Sequence, residues 1–158
     1  MVLRPVDARV LACLIEKETT VPDSYPLTAN ARRSACNQST NRNPVTSYDD
    51  RTIDEALVSL KAAGLVRFVH PSHGGRTLRY RHVADERWEL GSGELGVVAL
   101  LILRGPETAA TLRARAERFL DAGGVTVEEA LTALMEREPD PFVRRLASGP
   151  GEREPRYQ

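Results

Sequence analysis

Between Pro5 and Thr20 the apolar residues Val6, Val10, Leu11, Leu14 and Ile15 recur at helical spacing, so this stretch is predicted to be a helix. Pro5 suits a first-turn position, and Asp7 suits the positive end of the helix dipole. "TTVPDSYP" breaks the pattern with its prolines. A second helix is expected over about Leu27 to Cys36, with Thr28 as a cap. Ser47 or Asp49 should cap a third, in which Ile53, Ala56, Leu57, Leu60 and Ala63 form one apolar stripe that Gly64 stops. The period then changes from helical to alternating. "LVRFVH" (65–70) and "RTLRYRHV" (76–83) flank the turn "PSHGG" and read as a β-hairpin. Three helices followed by a hairpin is the order of a winged helix.

The same order comes round again. "ELGVVALLIL" (94–103) is an apolar helix ended by Gly105-Pro106; a second helix is expected from Thr108 to Phe119, and Thr126 caps a third from Val127 to Glu138. "FVRRLA" and "PRYQ" around "SGPGE" make a second hairpin. The segments "DEALVSL" (54–60) and "EEALTAL" (128–134) align. A direct repeat of this length indicates a duplicated domain. The expected fold class is therefore α+β, predominantly helical, with two tandem winged helices: residues 1–83, a junction at 84–92, and residues 93–158. Trp88 in the junction is expected to pack between the halves. The helix "ELGVVALLIL" is apolar nearly all round, so it must be covered on more than one side.

Composition refines this picture. The 158 residues are 41% hydrophobic but only 5% aromatic, which points to an aliphatic core. Lys/Arg and Asp/Glu number 22 each, a balance that argues mildly against a nucleic-acid binder. The balance conceals an asymmetry. Residues 1–82 carry 12 basic against 8 acidic side chains, about +4, and residues 83–158 carry 10 against 14, about −4. A polyanion contact is accordingly expected in the first half. The chain has no apolar run of bilayer-spanning length and no signal-peptide pattern at its start, so a cytoplasmic protein is expected. Cys13 and Cys36, the only cysteines, read as buried free thiols.

"ARVLACLIEKETTVPDSYPLTANARRSACNQSTNRNPV", "VVALLILRGPETAATLRARAERF" and "PFVRRLASGPGEREPRY" together resemble the YceH-like proteins, a bacterial family with no assigned function. The resemblance covers essentially the whole chain and implies a tandem winged-helix fold. It implies no activity. Relatives of this kind can carry a short tail beyond the "REPRY" strand.

A winged helix usually reads DNA with its third helix and touches backbone with its wing. Here the third helix begins "SYDDRTIDEAL", so Asp49, Asp50, Asp54 and Glu55 would face phosphate. The corresponding "TVEEAL" of the second half is no better. The basic and amide side chains lie elsewhere. Arg32 and Arg33 on the second helix are candidate phosphate contacts; Asn37, Gln38, Asn41 and Arg42 in the interhelical loop, with Arg76, Arg79 and Arg81 on the wing, complete the candidate nucleic-acid-binding set. The loop "CNQSTNRNPV" also has structural work to do. Asn37 can cap its helix in the left-handed conformation, Pro44 favours an extended Asn43, and Asn41 and Asn43 can close local turns. That account leaves Gln38 and Arg42 unassigned.

Duplex DNA is the leading expected partner, in a regulatory setting. A protein–protein adaptor or assembly scaffold is the alternative, with a homodimer suggested by the complementary halves. No cofactor, metal or catalytic residue is expected. His70, His73 and His82 lack an accompanying Cys or carboxylate at ligand spacing, and Glu16-Lys17-Glu18 reads as a solvated helix end. There is no phosphate-binding glycine loop and no nucleophile–base pair.

Overall fold

The computed structural model describes all residues except Ser72, His73, Gly74, Arg76 and Thr77. The chain is a predominantly helical α+β protein with small antiparallel sheets. Helix α1 runs Pro5–Thr20, with Pro5 in its first turn, and buries Val10, Leu11, Leu14 and Ile15 as its periodicity predicts. A single 3₁₀ turn, Pro22–Ser24, follows. Thr28 caps α2 (Ala29–Asn37) by accepting from Ala31 N at 3.2 Å. Of the two proposed caps for α3 (Asp50–Ala62), Asp49 is the one used, accepting from Thr52 N at 2.8 Å. Of the predicted stripe, Ile53, Ala56, Leu57 and Leu60 are buried and Ala63, at the C-cap, is half-buried; Gly64 leaves the helix at φ +74°. Strands β1 (Val66–Val69) and β2 (Arg79–His82) pair antiparallel, with Arg67 opposite Arg81 and Phe68 opposite Tyr80. Leu27, just before α2, bridges antiparallel to Tyr80.

The junction is not a bare linker. It contains a short helix, α4 (Ala84–Trp88), that turns out of Glu89 at φ +54°. Helix α5 (Ser92–Arg104) then crosses the centre of the molecule, against α1 on one side and α7 and α8 on the other. This is why its residues need no polar face. Val97 and Leu103 are fully buried, and Gly93 and Gly96 lie close against Leu120, Val125 and Phe119 of the same half. A Cβ on Gly96 would lie 2.2 Å from Phe119 Cγ.

Three features of the second half differ from the sequence expectation. The segment expected as one helix from Thr108 to Phe119 is two, α6 (Ala109–Arg115) and α7 (Glu117–Gly123), separated at Ala116. Leu112, Ala116, Phe119 and Leu120 are all buried, at a spacing that a single helical face would also bury. Helix α8 is Val127–Met135 and stops short of Glu138. Strand β3 (Glu107–Thr108) was not legible; it joins β4 (Arg145–Leu146) and β5 (Arg156–Tyr157) in the order β3-β5-β4. Its position before α6 parallels that of Leu27 before α2. Trp88 lies edge-on to Phe142 at 5.2 Å, so the junction does pack onto the second half. None of the helices is long and apolar enough to cross a membrane, among the described residues.

Candidate functional site

The interhelical loop is built around two buried guanidinium groups, Arg9 on helix α1 and Arg42 in the loop itself. Arg9, Cys13 and Glu16 follow one another at helical spacing on the buried side of α1, and Arg9 and Glu16 are only 5% and 8% exposed. Arg9 donates to Cys36 O at 3.1 Å, Pro44 O at 2.7 Å and Thr46 Oγ1 at 3.2 Å, tying both ends of the loop to α1. Arg42 enters from the loop and donates to both Glu16 carboxylate oxygens at 3.0 and 2.8 Å, to Ala35 O at 3.1 Å and to its neighbour Asn41 O at 2.7 Å. Burial opposes the Arg42 charge, but the hydrogen-bonded Glu16 outweighs it and the guanidinium pKa is raised. Arg42 is thus structural. The reading of Glu16 as part of a solvated helix end is corrected with it, because a charge in that position had to face Arg42.

The amides are engaged in the same way. Asn37 is the last residue of α2 and not a left-handed cap; its side chain donates to Tyr48 O at 2.8 Å and accepts from Tyr48 N at 2.8 Å and Thr46 Oγ1 at 3.0 Å. The left-handed residue is Asn41, at φ +55°. Gln38 accepts from Lys17 Nζ at 3.2 Å and donates to Thr40 O at 2.8 Å. The loop then reaches the second half. Asn43 N donates to Leu103 O at 2.8 Å, its side chain to Arg104 O at 3.4 Å, and Arg104 donates back to Asn41 Oδ1 at 2.6 Å. Two of the last carbonyls of α5, which no helix can satisfy internally, are therefore capped by the loop. The stretch is a clasp between the halves.

The remaining candidates divide between the core and the hairpin. Arg32 is buried, against its assignment as a phosphate contact. Its guanidinium donates to Leu27 O at 3.1 Å, lies 5.3 Å from the Tyr80 ring centre and reaches Asp54 at 3.9 Å. Burial lowers its pKa, with Asp54 opposing, and Nε has no partner among the described residues. Arg33 is paired with Asp50 at 2.7 Å. Arg81 and its cross-strand neighbour Arg67 both reach Glu86, at 3.4 and 2.9 Å. Arg79 is exposed and, among the described residues, donates to Pro26 O at 3.3 Å. Arg76 and His73 lie outside the described residues. The exposed side of α3 presents Arg51, Asp54, Glu55 and Val58, the last 67% exposed. In the second half Arg113 pairs with Glu128, Arg115 with Glu107 and Arg156 with Glu152. His82 is buried between Glu18 and Asp85, its backbone N–H donating to Tyr25 Oη at 2.8 Å. No group of three or more potential ligands converges on a metal position among the described residues.

A second feature was not visible in the sequence. Where α1, α4 and α5 meet the segment after α8, an open groove of about 700 Å³ is walled by Leu3, Trp88, Leu101, Ile102, Phe142 and Val143. Arg87, Arg137, Glu138 and Asp140 add charged groups to its lining. Arg137 is fixed there, donating to Trp88 O and lying 5.6 Å from the Phe142 ring centre. A family model described as "Protein of unknown function, DUF480" matches residues 3–152. The chain belongs to the DUF480 family. It is 48% identical over 160 aligned residues to a UPF0502 protein of Pelobacter propionicus, covering 99% of this chain and 71% of that one. It is also 45% identical to a UPF0502 protein of Geobacter metallireducens and 43% identical to one of Mesorhizobium japonicum, again over 99% of this chain and 70% and 73% of theirs. Membership of DUF480 agrees with the YceH-like resemblance of the sequence and assigns no activity.

Proposed function

We propose that this DUF480 chain is two winged helices in tandem, clasped into one rigid body, that serves as a protein–protein adaptor. The tandem reading is supported by the matching element order of the halves, including the short strand ahead of the second helix of each. The adaptor reading rests on one observation above all: the seam between the halves carries an apolar groove, while the usual reading helix does not carry a nucleic-acid face. Asp50 and Asp54 on α3 take up Arg33 and Arg32, so the acids that open the helix also consume the nearest cations. A groove with two aromatic walls and charged groups in its lining is the form of surface that accepts an apolar segment of a partner.

The test is affinity capture with the intact chain and with Ile102→Glu, which puts a charge on the groove wall at a half-buried position. A partner identified by mass spectrometry, retained by the first and lost by the second at unchanged melting temperature, is the expected result. Equal capture by both chains refutes the groove.

A second reading keeps the first wing in contact with nucleic acid. It is favoured by Arg67, Arg79 and Arg81, which share one face of the β1–β2 ladder. Random duplex DNA titrated at about 50 and about 200 mM salt separates the readings, because several phosphate contacts would give a steep salt dependence. Binding at low salt that Arg79→Glu with Arg81→Glu abolishes would establish the wing and displace the adaptor as the leading role.

A further inference from the structure

We propose that the outer face of α3 is a self-association surface, on which two copies of this chain pair antiparallel about a twofold axis at Val58. Helix α3 packs against α1, α2 and β1. The side turned away from them presents Arg51, Asp54, Glu55, Val58, Lys61 and Ala62, one exposed stripe at helical spacing. Val58, in the middle of it, is 67% exposed. A lone surface valine is ordinary. What sets this one apart is its flanks: Glu55 stands three residues before it and Lys61 three residues after.

An antiparallel pair sets each residue opposite the one equally far beyond the axis on the second copy. Val58 then meets its own counterpart, and Glu55 of each copy faces Lys61 of the other. The result is two identical ion pairs around one apolar contact. Asp54 comes opposite Ala62, so no carboxylate meets a carboxylate. Both charged side chains are already held in position. Glu55 accepts from Arg51 at 3.1 Å, and the Lys61 ammonium lies 3.6 Å from the Phe68 ring centre. Side chains ordered beforehand lose less freedom on association.

The corresponding helix of the second half fails the same operation. The outer face of α8 carries Glu128, Glu129 and Glu136 around Thr132 and Ala133. Paired antiparallel about Thr132, Glu128 of one copy would face Glu136 of the other, and like charges would repel. Self-complementarity therefore belongs to the first half. The α3 stripe shares no residue with the apolar groove, so the two surfaces are separately testable. One helix face is a small interface of the weakly associating class, and the dimer depends on concentration.

Sedimentation velocity of the intact chain at about 10 μM and about 1 mM measures the association. The mass should rise from one chain toward two and no further, because an isologous contact closes at two. Val58→Glu, at an exposed position, should keep the parent melting temperature and weaken association by roughly tenfold or more. Glu55→Lys and Lys61→Glu should each weaken it as well. Combined in one chain they should restore it, since the exchanged charges again oppose each other across the axis, a rescue that local damage to α3 would not show. The proposal is overturned if the chain stays monomeric at about 1 mM or assembles beyond two. It is equally overturned if Val58→Glu associates like the parent, or if the double reversal associates no better than the single ones.

Discussion

Replacing Arg42 with Ala isolates the largest single electrostatic commitment of the clasp. The Arg42 side chain is completely buried and that of Glu16 is 10% exposed, so neither charge can recover its hydration in place. Removing one partner of a buried ion pair costs about 3–5 kcal/mol, because the surviving charge is left without compensation. Lys17 at 3.3 Å gives Glu16 a second, partly exposed partner, which sets the loss near the lower end, about 3 kcal/mol. In a chain of this size that corresponds to a fall in melting temperature of roughly 6–12 °C. Urea unfolding followed by far-ultraviolet circular dichroism measures it directly. The companion variant Arg42→Leu with Glu16→Leu removes both charges while filling their space, and should cost less than Arg42→Ala alone. A loss under about 1 kcal/mol for Arg42→Ala, or a double variant that costs the sum of the singles, would refute the description of Arg42 as a buried clasp.

Gly96→Ala gains about 1 kcal/mol of helix propensity, but its Cβ would lie 2.4 Å from Phe119 Cβ, an atom that cannot move without its backbone. Overpacking of this kind costs about 1–3 kcal/mol, so urea unfolding should show a net loss, and a gain would mean that α5 and α7 can separate freely. Asn41→Gly should be less destabilising than Asn41→Ala by about 1 kcal/mol, since both lose the Arg104 bond but only Ala strains the left-handed backbone; equal effects would remove conformation from the explanation. Asp49 and Glu129 are held below the ordinary carboxylate range, Asp49 by the Thr52 side chain and N–H and Glu129 by the Thr126 N–H and hydroxyl. Depressed carboxylates contribute stability at neutral pH that disappears as pH falls through their folded values, below about pH 4. Asp49→Asn preserves a cap acceptor without titrating, so its melting temperature should fall less between pH 7 and pH 3 than that of the parent; an identical fall would contradict the assignment.

Where a short-range rule governed, the chain was transparent. Helix α1 was legible to the residue, and so were the Thr28 and Thr126 caps and the Gly64 stop, with the α3 cap narrowed to Ser47 or Asp49 and most of the α3 stripe named, because each depends on neighbours within one or two turns. The second half was read less well. A break at Ala116 has no Gly or Pro to announce it, and two-residue strands such as β3 are too short for any period. The loop "CNQSTNRNPV" is structural in large part, as its amides and proline suggest, but its partners could not be named for a related reason. Its polar composition announced hydrogen bonds, but their partners are Glu16 on α1 and the end of α5, up to 63 residues away.

Local pattern and composition were therefore enough to set most of the helices, the first hairpin and the aliphatic core, all of which depend on spacing along the chain. Only the folded arrangement could decide which charges are consumed and which remain exposed. Arg32, Arg42 and Glu16 look like surface residues in one dimension; three-dimensional proximity to Asp54 and to one another makes them interior, which removes two of the nine expected nucleic-acid contacts from the surface. The groove has the same origin, since its walls come from four separate segments that no sequence spacing connects.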